Sequence, residues 1–117
     1  MFSFEYYYDK NHVFHGAEEN QKVKKCDPDE IVLLPNKEYT LIIDYSVRYQ
    51  YKSKIKTGKR GITRLKLADK ICKHYDKMYR ENDRSGKYGI YGHDINDLIL
   101  VSATVDEKNN IRLGVDS

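Results

Sequence analysis

Acid/base chemistry in this sequence could come from one compact set of side chains, His93, Asp94 and Asp97. A histidine beside carboxylates can act as a general base or bind a metal ion. No nucleophile stands at a recognisable motif spacing from them. A structural role accounts for the same residues, with His93 donating to a backbone carbonyl and Asp94 or Asn96 capping a turn. We favour the structural role, expect no catalytic residue, and keep His93 as the one residue there to test.

Two glycines in the same stretch, Gly89 and Gly92, enclose Ile90 and Tyr91. This spacing is too short and too aromatic for a phosphate-binding loop. The glycines are expected to serve backbone geometry, with positive φ or close approach beneath Tyr88 and Tyr91. We therefore expect a turn that lays Tyr88 and Tyr91 over a helix. The resulting signature loop consists of Tyr88, Gly89, Tyr91, Gly92, His93 and Asp97.

A basic segment without acidic residues covers residues 48–66, with Tyr49 and Tyr51 interleaved. Such side chains could contact phosphates while tyrosines stack on bases. The alternative is a solvated strand edge, where lysines oppose aggregation. Two observations favour this alternative: the tyrosines fall on the opposite strand face from most basic residues, and the chain carries only +3. The candidate nucleic-acid contacts are Arg48, Lys52, Lys54, Lys56, Lys59, Arg60 and Arg64.

Composition limits the class of protein. The 117 residues suit one domain, and 33% of them are charged. No apolar run approaches the roughly 18 residues that span a bilayer, and the N-terminus lacks a secretory signal. We therefore expect no membrane segment and no secretion. Cys26 and Cys72 are expected to be free thiols, and no Cys or His spacing indicates a metal site or other cofactor.

Strands are predicted wherever apolar residues alternate with polar ones. The first covers residues 2–8, and residues 12–15 form a short return strand after a turn. The apolar run at residues 31–34 is either a buried strand or a loop docked on the core. The longest alternation covers residues 40–56 and predicts one long strand with a bend or bulge.

A helix follows, because apolar residues then recur at intervals of three and four. Thr63 can cap its start, and Gly86 can end it. His74 lies on the polar side and is expected to be exposed. The predicted apolar stripe consists of Leu65, Ala68, Ile71, Cys72, Tyr75, Met78 and Tyr79.

The C-terminal part predicts a strand at residues 98–105, a tight turn at 108–110 and a second strand at 111–115. Together these elements predict a single α+β domain over residues 1–117. A twisted, mainly antiparallel sheet of about five strands carries one long amphipathic helix on one face. The other face stays partly open, and its tyrosines favour self-association as a twofold homodimer.

One stretch resembles a known group of proteins. Residues 87–100 read KYGIYGHDINDLIL. This run is similar to small, poorly characterised proteins of nucleocytoplasmic large DNA viruses, which read roughly YGI(W/Y)GH, then Asp-Leu and an apolar strand. The preceding helix and the C-terminal strand are similar too, so the resemblance covers residues 63–117. It implies a viral origin and a virion component.

The expected function is that of a non-enzymatic structural or protein-interaction protein of a large DNA virus. It would be homodimeric, would contact other viral or host proteins, and would be located in the virion or inside the infected cell, in cytoplasm or nucleus. The alternative is binding of nucleic acid or another polyanion through residues 48–66. A small enzyme using His93 is a third and weaker hypothesis.

Overall fold

A computed structural model of the chain describes residues 2–3, 29–92, 95 and 98–116. Most of the predicted first strand, the return strand at 12–15, Cys26, His93 and Asp97 lie outside these residues. The described elements are β1 (Phe2–Ser3), β2 (Ile31–Leu33), β3 (Glu38–Ile43), β4 (Tyr51–Lys56), β5 (Ile62–Thr63), α1 (Arg64–Ser85), β6 (Ile99–Val105) and β7 (Asn110–Asp116).

Five of the described strands form one sheet in the order β1-β6-β7-β3-β4, and β2 pairs with β5 in a separate two-stranded ribbon. Every neighbouring pair in the larger sheet is antiparallel except β3 and β7, which are parallel. With α1, this confirms the predicted α+β class. In the apolar run at residues 31–34, Ile31–Leu33 form the strand β2, in which only Leu33 is fully buried. Strand β6 lies between two neighbours, as its apolar sequence predicts.

The single long strand predicted over residues 40–56 is wrong. The chain reverses through residues 44–50, so β3 and β4 form a hairpin. In this register Leu41 faces Ser53 and Ile43 faces Tyr51. Odd-numbered residues therefore pair with odd-numbered residues, and paired residues share a sheet face. The alternation thus continues in phase through the loop and imitates one uninterrupted strand.

Both ends of α1 are capped as predicted. The Thr63 side chain accepts a hydrogen bond from the Lys66 backbone N–H, and Gly86 adopts φ 66° while donating to the Asn82 carbonyl. The predicted stripe is wrong at its first residue, because Leu65 is 49% exposed whereas Leu67 is fully buried. The buried face follows the i, i+4, i+8 series that Leu67 begins, and Leu65 lies outside that series.

The main core lies between α1 and one face of the sheet. The helix contributes Leu67, Ile71, Tyr75 and Met78, none of which retains exposed surface. The sheet side of this core contains Tyr39, Leu41, Ile43, Tyr51, Ile55, Leu100, Ala103 and Ile111. Tyr39 and Tyr51 therefore face the helix, and the open sheet face does not present these two tyrosines for self-association.

The opposite sheet face carries several charged side chains and also the buried residue Ile42. Lys54 and Lys56 lie 3.3 and 3.9 Å from the Glu38 carboxylate, and Arg112 lies 3.9 Å from that of Asp44. Exposed ion pairs of this kind contribute little stability. Among the strands described, β4 forms one edge of the sheet, so its lysines occupy the position where they oppose edge pairing.

The C-terminal hairpin turns at Asp106 and Asn109, close to the predicted position. The Asp106 carboxylate accepts from the backbone N–H groups of Lys108 and Asn110 at 2.8 and 2.9 Å. Asn109 has φ 60°, which Asn tolerates better than most residues. These backbone hydrogen bonds also lower the pKa of Asp106. In the part of the chain described, no helix is both long and apolar enough to cross a bilayer.

Candidate functional site

Two loops meet beside the C-terminal end of α1, and together they form the candidate site. The first is the β3–β4 connection at residues 44–50, and the second covers residues 86–92, directly after the helix. We call these segments the loop pair. Gly86 ends α1 in the left-handed conformation, and the chain then turns back along the first loop. The described part of the signature loop therefore lies in the second segment.

Backbone hydrogen bonds join the two loops. The Tyr88 carbonyl accepts from the N–H groups of Arg48 and Tyr49 at 3.0 and 3.1 Å. The Ser46 carbonyl accepts from the N–H of Tyr91 at 3.2 Å, and the Ser46 hydroxyl donates to the Tyr91 carbonyl at 2.8 Å. Because Ser46 is buried, losing its partner would leave an unsatisfied polar group. The loops therefore behave as one braced unit.

Three side-chain contacts attach this unit to α1. The Tyr75 hydroxyl donates to the Tyr45 carbonyl at 2.6 Å. The Asn82 side-chain oxygen accepts from the Tyr88 N–H at 3.0 Å, and the Tyr88 hydroxyl donates to the Glu81 carboxylate at 2.8 Å. Burial and the neighbouring Glu81 carboxylate raise the pKa of Tyr88 to about 12. Tyr88 therefore remains a protonated hydrogen-bond donor across the physiological range.

Gly89 is required where the loops cross. It has φ 60°, and a Cβ built there would lie 3.0 Å from the Cβ of Arg48. The Arg48 stem therefore packs directly over the Gly89 backbone. The positive φ predicted for a glycine is present at Gly89, whereas the close contact there is with the Arg48 side chain and not with a tyrosine. Gly92 also has a positive φ, 79°, but its Cβ position is open.

Three residues of the loop pair, two tyrosines and an arginine, have exposed side chains. Tyr49 is 64% exposed and Tyr91 is 55% exposed. Arg48 lies beside Tyr49 and is also exposed. Tyr and Arg are the residue types most enriched among energetically important interface residues. The sequence predicts that both Tyr88 and Tyr91 pack over the helix. Tyr88 does so, but the prediction is wrong for Tyr91, which is exposed.

His74 is not simply exposed, as the sequence had indicated. Its Nδ1 lies 2.7 Å from the Tyr51 hydroxyl, and the two rings are in contact. Burial lowers the pKa of His74, and the charges of Lys77 and Lys70 lower it further. Burial likewise raises the pKa of Tyr51. The Tyr51 ring also packs edge-on against Tyr88, which links this pair to the loop pair.

The basic segment 48–66 does not form one surface. Lys52, Lys54 and Lys56 lie along the open sheet face of β4, whereas Arg48 belongs to the loop pair. Lys59 and Arg60 are exposed in the connection before β5.

Arg64 is the clearest exception among the proposed nucleic-acid contacts. It is buried, and its guanidinium binds the Glu30 carboxylate at 2.7 Å. Tyr51 is buried as well, so it cannot stack on a base as proposed. The seven basic residues therefore divide among four different environments.

Among the residues that the structure describes, no group of three or more Cys, His, Asp or Glu could hold a metal ion. Cys72 is buried in the apolar face of α1. The hypotheses that involve His93 and Asp97 fall outside the described residues and stay predictions. Comparison of the chain with protein-family models, with curated proteins and with solved structures finds no match.

Proposed function

We propose that the protein is a non-enzymatic structural and interaction protein that binds a protein partner through the loop pair. The observation that supports this is the exposure of Tyr49, Arg48 and Tyr91 together on two hydrogen-bonded loops. Hydrogen bonds join the backbones of the two loops in the absence of a partner. Less conformational entropy is therefore lost on binding than for a mobile loop. Tyrosine adds a large contact area with few rotatable bonds.

The groups around the loop pair that could have suggested catalysis have structural partners. Tyr88 donates to Glu81, Tyr75 donates to a backbone carbonyl, and His74 pairs with Tyr51. These hydrogen bonds connect the loops, the helix and β4. A role in shaping a binding surface uses all of them, which is the reason for preferring an interaction protein to an enzyme.

The partner we propose is a second copy of the chain, giving a twofold homodimer. In such an interface the same patch meets itself, so Tyr49 and Tyr91 of each protomer would contact the partner's loop pair. Three aliphatic residues elsewhere are also exposed, namely Ile31, Leu34 and Leu65. We prefer the loop pair because isolated exposed aliphatic residues are normal on protein surfaces, whereas Tyr and Arg together are typical of interface centres.

The proposed biological setting is a large DNA virus, with the dimer as a virion component. This part of the proposal is supported by the resemblance of residues 87–100, which includes Tyr88, Gly89, Tyr91 and Gly92 of the loop pair. The proposed location is the virion or the interior of the infected cell. Other viral or host proteins would then bind surfaces outside the dimer interface.

Sedimentation velocity over a wide concentration range tests the dimer. We expect the wild type to approach twice the 13.8 kDa chain mass, and the Tyr49→Ala/Tyr91→Ala double variant to stay monomeric. The matched control is Leu34→Ala/Leu65→Ala, which removes similarly exposed apolar surface elsewhere and should still dimerise. A wild type that stays monomeric at high concentration, or a control that dissociates like the tyrosine variant, would contradict the proposal.

A further inference from the structure

The outer face of α1 carries a basic stripe that the sequence interpretation did not identify. Six cationic residues recur at intervals of four, three, four, three and four. With 3.6 residues per turn, this spacing keeps them within about 40° of one line along the helix. At a rise of about 1.5 Å per residue the stripe is about 27 Å long. It consists of Lys66, Lys70, Lys73, Lys77, Arg80 and Arg84.

All six side chains are exposed, on the side of α1 opposite the face that packs on the sheet. Three of them have carboxylate neighbours one turn away: Lys73 with Asp69 at 3.1 Å, Arg80 with Asp76 at 2.7 Å, and Lys77 with Glu81 at 3.9 Å. These exposed i,i+4 pairs are weak, so a phosphate can replace the carboxylate.

The other three cations are more available. Among the described residues, Lys66, Lys70 and Arg84 have no carboxylate within 4.0 Å. Lys70, Lys73 and Lys77 also line a shallow depression of about 210 Å³ together with His74. Nδ1 of His74 lies 2.7 Å from the Tyr51 hydroxyl. The centre of the stripe therefore places three ammonium groups beside an imidazole ring.

The chemistry of the stripe favours nucleic acid over two other anionic partners. A membrane-binding helix inserts an apolar face, but the apolar face of α1 is buried against the sheet. Protein interfaces are depleted in lysine and have apolar or aromatic centres, whereas the stripe contains four lysines and no apolar residue. Contact with phosphates needs cations alone and no apolar anchor.

Duplex nucleic acid fits the stripe better than a single strand. Single-strand binding proteins combine basic grooves with aromatic side chains on which bases stack, and the stripe has no aromatic member. Duplex DNA carries about one negative charge per 1.7 Å of its axis. A straight row of cations about 27 Å long can therefore lie against phosphates on both sides of a groove without reading base identity.

We propose that the outer face of α1 binds duplex DNA through the basic stripe, by sequence-independent contacts to backbone phosphates. This surface goes beyond the proposed dimer and does not depend on it, because the stripe and the outward residues of the loop pair are different residues. The basic residues of β4 lie on the open sheet face, not on the helix, so the two basic surfaces can be tested separately.

Fluorescence anisotropy of a labelled 24-base-pair duplex, titrated with the full chain at several KCl concentrations, tests the proposal. The test variant is Lys66→Gln/Lys70→Gln/Arg84→Gln. We expect affinity to fall about tenfold or more at low salt, and the slope of log K against log salt to decrease by about 2 to 3, which corresponds to three lost phosphate contacts.

The matched control is Lys52→Gln/Lys54→Gln/Lys56→Gln, which removes the same charge from β4. It should keep most of the affinity and the wild-type slope. Equal losses in both variants would overturn the proposal, because they would indicate a response to net charge alone. So would salt-independent binding, tighter binding of a single strand of the same length, or equally tight binding of poly-glutamate. Circular dichroism establishes that both variants fold.

The dimer variant separates this proposal from the previous one. Tyr49→Ala/Tyr91→Ala leaves every stripe residue in place, so its salt slope per chain should equal that of the wild type. Loss of DNA binding in this variant would contradict a stripe that acts independently. Retained DNA binding by a chain that never dimerises would uphold the stripe and overturn only the dimer.

Discussion

Two neighbouring residues, Tyr88 and Gly89, determine how the two loops contact each other. Tyr88 uses its carbonyl to hold two N–H groups of the first loop and its hydroxyl to reach Glu81 on the helix. Gly89 lets the Arg48 stem cross directly above the chain.

Replacing Gly89 with alanine should destabilise the protein by about 1–3 kcal/mol, because a positive φ and contact with Arg48 both oppose a Cβ there. Urea unfolding measures the free energy change. Gly58→Ala is the control, since an added Cβ at Gly58 meets nothing within 4 Å and that glycine has no positive φ. Equal stability of the two variants would contradict the close crossing of the loops.

His74 should make the protein less stable as the pH falls. The folded state lowers the pKa of His74, through burial and the charges of Lys77 and Lys70, while the Tyr51 hydroxyl contacts Nδ1. The unfolded chain therefore binds this proton more readily. Stability from this group is complete above the unfolded value of about 6.5 and declines as pH drops toward the lower folded value.

The measurement for His74 is the urea midpoint at several pH values between 8 and 5, for the wild type and for His74→Gln. The decrease on acidification should be smaller in the variant, because it lacks the titrating imidazole. Identical decreases in both proteins would mean that His74 titrates normally in the folded state.

Local sequence signals predict the residues whose partners are near in the chain, such as Thr63 and Gly86. Each depends on a cap formed within a few positions. The contact of His74 with Tyr51 joins residues 23 positions apart. No local pattern encodes it, because it requires β4 to lie beside the middle of α1. The position of His74 on the polar side of the helix therefore led to the wrong prediction that its side chain is simply exposed.

At the scale of elements, α1 and the β3–β4 hairpin determine how the surfaces are presented. The buried face of α1 packs on the sheet through Leu67, Ile71, Tyr75 and Met78. This orientation turns the basic stripe outward. The hairpin places residues 44–50 next to the helix C-terminus, where the second loop begins.

Truncation along α1 tests this orientation. Ile71→Ala should lower the free energy of unfolding by about 2–5 kcal/mol, because Ile71 is fully buried. Leu65→Ala should cost less than about 1 kcal/mol, since half of that side chain is exposed. Chemical unfolding of the two variants gives both values. A larger loss at Leu65 would mean that the helix is rotated from the described orientation.

The strands of the β3–β4 hairpin could be predicted from the sequence, but the turn between them could not. Periodicity correctly assigned strand structure to most of residues 40–56. It did not reveal the reversal, because the register of β3 and β4 keeps odd residues on one face. Only Asp44 and Ser46 weakly indicate a turn between apolar neighbours. Tyr88 and Tyr91 hold this loop through tertiary contacts. The periodicity of the sequence cannot predict such contacts.

For the molecule as a whole, the class and the single long helix could be predicted, whereas the strand order could not. Apolar periodicity specifies which residues are buried, but not that β7 lies parallel to β3 beside the hairpin. The loop pair and the basic stripe become surfaces only when these elements pack together. The loop pair combines two segments about 40 residues apart, and the outward direction of the basic stripe is established only once α1 is packed.

The most direct test of the interaction role is a dilution series of ¹H–¹⁵N NMR spectra of the full chain. The proposed dimer predicts concentration-dependent shifts or broadening at the amides of Arg48, Tyr49 and Tyr91, with little change in the ribbon of β2 and β5. Changes centred on Ile31 and Leu34, or spectra that do not depend on concentration, would contradict the assignment of the loop pair as the interface.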